Sequence, residues 1–224
     1  MAAPSRSITG QALPLAPRAR WAANLLSYAG RAAASSATLA LSPALLILLV
    51  AVRILSGRSS LVAHRRIGWL GEPFWMLKIR TMWERQEPAA FPGWIEYLDD
   101  SPVPIFKNEP DPRVTSRFAA FCRRYSLDEL PQLVHVATGR MGLVGPRPLT
   151  RQELSTYYSP QAAAEVLSVR PGITGLWQVL GRNRLTYAQR RRLDLFLVRK
   201  GSIRLYLRIL LATPLRVLSG RDAW

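Results

Sequence analysis

Residues 32–52 carry no charge, and residues 39–52 are almost wholly apolar, in a chain whose formal net charge is +17. A helix needs about 20 apolar residues to cross a bilayer. This stretch therefore restricts the chain to a membrane-associated fold, or to one built around a buried core helix. Two features argue against a plain crossing. Ser42-Pro43 lies mid-segment, where proline removes a helical hydrogen bond and bends the chain. Arginines also flank both ends: Arg18, Arg20 and Arg31 before it, Arg53, Arg58, Arg65 and Arg66 after it. Positive charge marks the cytoplasmic side, so the flanks favour a hairpin with both ends on that side.

The remaining charge is almost entirely arginine, since Lys78, Lys107 and Lys200 are the only lysines. Arginine grips phosphate bidentately, and an excess this large calls for an anionic partner: nucleic acid, anionic lipid or a phosphorylated substrate. A nucleic-acid binder would explain the charge but not the uncharged stretch, and no reading motif is present. Cys122 is the single cysteine, which excludes an internal disulfide. With two scattered histidines it leaves no zinc cluster. Neither a Walker A motif nor a dinucleotide glycine fingerprint occurs. At 224 residues the chain is expected to hold one main domain.

Against this basic background stands an adjacent acid pair, Asp128 and Glu129, in Ser126-Leu-Asp-Glu-Leu-Pro-Gln-Leu133. Ser126 and Glu129 fit a capping box, and Asp128 is the alternative cap, which would put Pro131 in the first turn. In either register both carboxylates lie at a helix N-terminus, where orphan N–H groups and the helix dipole favour negative charge and also suit a phosphate. The bland alternative is a pair of acids that only cap a helix.

Elsewhere the pattern is readable in pieces. Residues 1–31 form a basic leader, expected to be loosely ordered with a surface helix near Trp21 to Tyr28. Phe74, Met76, Lys78 and Arg80 alternate, which predicts a strand or hairpin arm. Residues 83–117 are proline-rich and read as a long loop. A helix is expected over 118–125, and an amphipathic one over 151–167. Residues 170–183, punctuated by glycine, are expected to form a short hairpin over the site, with Trp177 as a core residue or a stacking platform for a base. Arg204, Arg208 and Arg216 among leucines over 202–218 fit a basic amphipathic helix lying in a membrane interface.

Taken in order, Asp111-Pro-Arg-Val-Thr115, the acid pair, Gly145-Pro-Arg-Pro148, Arg170-Pro-Gly-Ile-Thr-Gly-Leu-Trp-Gln-Val179 and Gly181-Arg-Asn183 resemble the bacterial sugar transferase family. Its members are monotopic polyprenyl-phosphate phosphoglycosyl transferases. The resemblance implies a mainly helical α+β fold: a re-entrant membrane helix-break-helix over 32–56, broken at Ser42 and Pro43, and a small cytosolic catalytic domain over 57–224 with short β-hairpins and interfacial amphipathic helices. It implies transfer of a sugar 1-phosphate from a UDP-sugar to polyprenyl (undecaprenyl) phosphate, with release of UMP. Asp128 would be the nucleophile of a phosphosugar–aspartyl intermediate. Glu129, with Asp128 beside it, would bind Mg²⁺, and Arg123, Arg147 and Arg182 would grip phosphates. The expected place is the cytoplasmic face of a bacterial inner membrane. Anionic lipids are expected as partners, nucleic acid is not, and a homodimer is compatible. The helix N-terminus and nearby arginines are expected to lower the pKa of Asp128.

Four positions depart from the family pattern. Gly30 stands near where an aspartate is usual, His64 where glutamine is usual, and Arg140 and Gly142 replace an Asp and a Ser. These departures leave open a catalytically impaired member acting as a membrane-anchored scaffold.

Overall fold

A computed structural model of the chain describes residues 17–83, 93–99, 114–181 and 184–219. Helix α1 (Pro17–Ser56) runs unbroken for 40 residues. Residues 17–31 form its first turns. It continues as helix through Pro43, where a helix break was expected. The local reason is visible in one hydrogen bond. Proline at 43 deprives the Leu39 carbonyl of its usual donor four residues on, and the Ser42 hydroxyl donates to that carbonyl instead, at 2.8 Å. The helix ends where Gly57 turns left-handed (φ 66°) and its N–H reaches back to the Arg53 carbonyl at 3.1 Å.

Strands β1 (Leu61–Ile67) and β2 (Pro73–Ile79) form an antiparallel hairpin, with His64 opposite Met76; β2 is the strand or hairpin arm expected there. A third strand, β3 (Ile95–Leu98), pairs parallel to β1, inside the stretch read from sequence as loop. Two contacts explain why it is fixed there: Arg80 pairs with Glu96, and Trp75 and Tyr97 meet edge to face at 5.1 Å. The rest of that stretch lies largely outside the described residues.

Helix α2 (Arg117–Arg124) is capped by the Ser116 side chain. A six-residue 3₁₀ turn, Leu127–Gln132, then leads into α3 (Leu133–Ala137). Strand β4 (Gly142–Val144) pairs in parallel with β5 (Gly172–Thr174). Between them lie α4 (Arg151–Tyr157) and α5 (Pro160–Leu167). The single amphipathic helix expected over 151–167 is thus two, because Ser159 caps a new helix with Pro160 at its first position. After β5 come α6 (Leu176–Leu180), α7 (Tyr187–Lys200) and α8 (Ile203–Ser219). The hairpin expected over 170–183 is not formed. Residues 172–174 pair with β4 and the chain turns directly into α6.

The glycines of the two motif loops account for that parallel pairing. A Cβ on Gly172 would sit 2.1 Å from the Gly145 nitrogen, one on Gly145 2.5 Å from the Arg170 carbonyl oxygen, and one on Gly175 2.4 Å from the Gly145 oxygen. Backbones this close admit no side chain. Gly-Pro-Arg-Pro and Pro-Gly-Ile-Thr-Gly are therefore two halves of one crossing.

The core sits between α1, β2 and α3, where Ala34, Phe74, Met76, Val136 and Met141 pack together. A second cluster of Leu176, Leu197 and Ile209 joins α6, α7 and α8. Near its start α1 touches the domain through Ala34 and through Arg31, which donates to the Ala137 carbonyl at 3.2 Å. Near its end Val52 is buried, and Ser60 donates to the Leu49 carbonyl at 2.6 Å. Positions 31 and 52 are about 30 Å apart on a helix, so the domain lies along the apolar segment. The opposite face is bare: Leu39, Leu46, Ile47 and Ile54 are 59–77% exposed. By length and composition residues 26–56 could cross a membrane, and so much apolar surface on a water-exposed helix marks a membrane contact.

Candidate active site

The acid pair sits in the first turn of the 3₁₀ segment, at a helical N-terminus as expected, but the capping box is not made. Ser126 adopts a left-handed backbone (φ 55°) and its side chain gives no cap bond. Asp128 is not the cap either, since it lies within the turn. Pro131, which has no N–H to donate, lies inside this 3₁₀ turn.

Facing the pair is a cation that sequence reasoning left without a role. Lys78 Nζ donates to Glu129 Oε1 at 2.7 Å and lies 3.8 Å from Asp128 Oδ2. Strand alternation puts Lys78 on the face of the buried Phe74 and Met76, and a lysine on the core side of a strand was the available signal. The neighbouring backbone is pinned as well. The Leu77 N–H donates to His135 Nε2 at 3.1 Å, tying β2 to α3 just beyond the acid turn. His135 must be neutral to accept this bond, and burial, with Arg140 adding to it, lowers its pKa to about 4.

Asp128 departs from the expected pKa direction. Burial raises it from the ordinary carboxylate value to about 6, and Glu129 adds to the rise. Lys78 and Arg123, the latter in the last turn of α2, oppose it without cancelling it. Helix-end charge and arginines do act in the expected sense, but loss of water outweighs them. Asp128 is 13% exposed and Glu129 30%. Glu129 is therefore the acid more open to solvent.

The structure gathers Asp128, Glu129, Lys78 and Arg123 into one site. Arg147 belongs to an adjoining cluster. Its guanidinium lies 5.3 Å from the Trp177 ring centre, and Arg190 lies 5.1 Å from the same ring. Trp177 is buried, as a core residue would be. The Arg147 backbone N–H bonds the buried carboxylate of Asp194, whose pKa burial raises to about 7. Asp194 is a second residue the sequence reading gave no role, although a lone acid between Leu193 and Leu195 hints at an inward-facing charge. His64 stands between the clusters. Burial and the charges of Arg66, Lys78, Arg147 and Arg80 lower its pKa to about 4, so it is uncharged at neutral pH. Arg182 lies outside the described residues. Gly30 is buried against Leu143 and Tyr206, and Arg140 is exposed beyond α3.

Beside Glu129 opens a cavity of about 200 Å³, walled by the acid turn, β5, α6 and α8. Together these features make a site that holds one carboxylate partly desolvated against a lysine, with further arginines around it. Such a site suits a polyanionic ligand and a carboxylate nucleophile.

Comparison with known proteins gives the family. Residues 25–220 match the family described as bacterial sugar transferase. Over 177 residues the chain is 41% identical to the exopolysaccharide production protein ExoY of Sinorhizobium fredii, covering 75% of this chain and 74% of the relative. It is 39% identical to the UDP-galactose-lipid carrier transferase of Erwinia amylovora, over 73% of this chain and 34% of that protein. It is 36% identical to the undecaprenyl-phosphate galactose phosphotransferase of Salmonella typhimurium, over 74% of this chain and 34% of that protein. The chain belongs to the bacterial sugar transferase family.

Proposed function

We propose that this protein transfers a sugar 1-phosphate from a UDP-sugar to polyprenyl phosphate at a membrane surface, releasing UMP. The observation that carries the proposal is the Asp128 carboxylate, 13% exposed, held beside Lys78 and Glu129 in a domain laid along an apolar helix. The names of the Erwinia and Salmonella relatives, a UDP-galactose-lipid carrier transferase and an undecaprenyl-phosphate galactose phosphotransferase, support the same substrates.

In the chemistry that fits, an Asp128 oxygen attacks the β-phosphorus of the UDP-sugar. The bond from that phosphorus to the bridging oxygen breaks, and UMP leaves with the electron pair. An oxygen of polyprenyl phosphate then attacks the same phosphorus, and the bond to Asp128 breaks to regenerate the carboxylate. Three phosphates meet in one place, so catalysis is mostly positioning and charge neutralisation. Lys78 and Arg123 surround Asp128 with positive charge, and Arg147 stands in the adjoining cluster. Arg182 completes the proposed set.

Mg²⁺ is bound through one or two carboxylates together with substrate phosphates. Glu129, the more open acid, fits as its protein ligand, with Asp128 beside it. Among the described residues no third acid, histidine or cysteine joins them, so phosphate oxygens and water would complete the shell. The ion supplies neutralisation of phosphate charge.

The membrane arrangement follows from the same packing. Because both flanks of the apolar segment touch one domain, α1 would enter from and return to the cytoplasmic side, bent about Ser42 and Pro43. Leu207, Leu211, Leu215 and Leu218 form an exposed stripe on α8, which would lie in the interface with Arg204 and Arg208 towards anionic headgroups. Purified protein given undecaprenyl phosphate and a panel of UDP-hexoses should release UMP with at least one. No release from any would overturn the proposal.

A further inference from the structure

The cavity beside Glu129 is lined differently from the rest of the site. Leu130 and Leu133 come from the acid turn and α3, Ile173 from β5, Val179 from α6 and Val217 from α8. Its charged lining residues are Glu129 and Arg216. At about 200 Å³ it is smaller than the roughly 300–1,000 Å³ typical of whole-ligand pockets, so it takes a fragment rather than a nucleotide sugar. Tyr125, Ser126, Thr174, Gln178 and Thr213 line it too, but most of the surface it presents is apolar, which suits a branched hydrocarbon.

The position of α8 strengthens the choice. Thr213, Arg216 and Val217 line the cavity, while Leu211, Leu215 and Leu218 point out at 71–72% exposure. At 100° per residue these two sets fall on opposite sides of the helix. One helix thickness, about 10 Å, therefore separates the cavity from the apolar outer stripe. Thr174 and Thr213 hydroxyls bond at 2.8 Å and fasten α8 to β5 there. The cavity thus lies on the domain side of the helix whose outer stripe would meet the membrane.

We infer that the cavity between the acid turn and α8 receives the phosphate-proximal isoprene units of the lipid acceptor. This inference rests on the proposed function and adds where the acceptor sits. Its test separates the two substrates. Val217→Trp, on the half-exposed end of α8, and Val179→Phe both fill the space. Each should raise KM for undecaprenyl phosphate at least about tenfold while leaving KM for the UDP-sugar unchanged. A second measurement needs no variant. A diazirine-bearing short-chain prenyl phosphate, photolysed with wild-type protein, should label peptides containing Leu130, Leu133 or Val179, and undecaprenyl phosphate should compete. A raised KM for the UDP-sugar alone would make this a nucleotide pocket. Unchanged KM values in folded variants, or label confined to the outer leucines of α8, would also overturn the inference. Failure of the proposed function would show differently, as absence of UMP release by the wild type.

Discussion

Lys78 Nζ lies 2.7 Å from Glu129 Oε1, and the same ammonium stands 3.8 Å from Asp128, so one strand residue faces both acids. Lys78 lowers the pKa of Asp128 and Glu129 raises it. Asp128 must be ionised to attack, and its pKa is raised to about 6. The acid limb of kcat/KM should therefore fall near pH 6, where an ordinary aspartate would titrate near 4. Lys78→Met removes an opposing charge and should move that limb to higher pH. Glu129→Gln removes a like charge and should move it to lower pH, while weakening Mg²⁺ dependence. The pH–rate profiles of the two variants against wild type decide this, and shifts in the same direction would contradict it.

His135 gives a stability prediction with a definite sign. Its folded pKa is about 4 against 6.5 for the free side chain, so the unfolded chain binds the proton more readily. The stability it contributes is present above pH 6.5 and is lost as pH falls from there towards 4. His135→Gln keeps an acceptor for the Leu77 N–H but cannot titrate. Melting temperature measured against pH in detergent micelles should fall less steeply for this variant than for wild type below pH 6.5.

The glycine crossing makes a sharp contrast available. Gly172→Ala would drive a Cβ to within 2.1 Å of backbone, which should cost more than about 3 kcal/mol and prevent stable folding. Gly30→Ala meets only ordinary contacts at 3.6 Å inside a helix, and should gain roughly 0.5–1 kcal/mol. Thermal melts of the two purified variants, or failure to recover the first, check both.

Topology is tested by thiol labelling in a Cys122→Ala background. Single cysteines at Ala29 and Gly57, on either side of the apolar run, should both react from the cytoplasmic side. Labelling from opposite sides would mean that α1 spans the membrane.

How much of this was legible in the sequence depended on whether the signal was local. The apolar run, β2 and α2 follow from periodicity, which adjacent residues encode, and the acid pair does lie at a helical N-terminus, though without the capping box. The parallel pairing of β4 with β5 was not legible, because it rests on Gly145 and Gly172 touching across 27 residues, and spacing cannot show a contact. Continuity of α1 through Pro43 depended on one hydroxyl, that of Ser42, finding the carbonyl that proline orphans. Lys78 shows no role in the sequence because its partners lie 50 and 51 residues on. The pKa of Asp128 runs against the sequence expectation because charges can be read from a sequence and burial cannot.

The central claim is that Asp128 forms the covalent bond to the phosphosugar. Intact-mass spectrometry of the wild-type protein incubated with UDP-sugar alone, followed by peptide mapping, tests it most directly. The account predicts a mass increase of one phosphosugar located on Asp128, absent in the isosteric Asp128→Asn variant, which should also lose turnover. An adduct on another residue, or sustained turnover by Asp128→Asn, would contradict it.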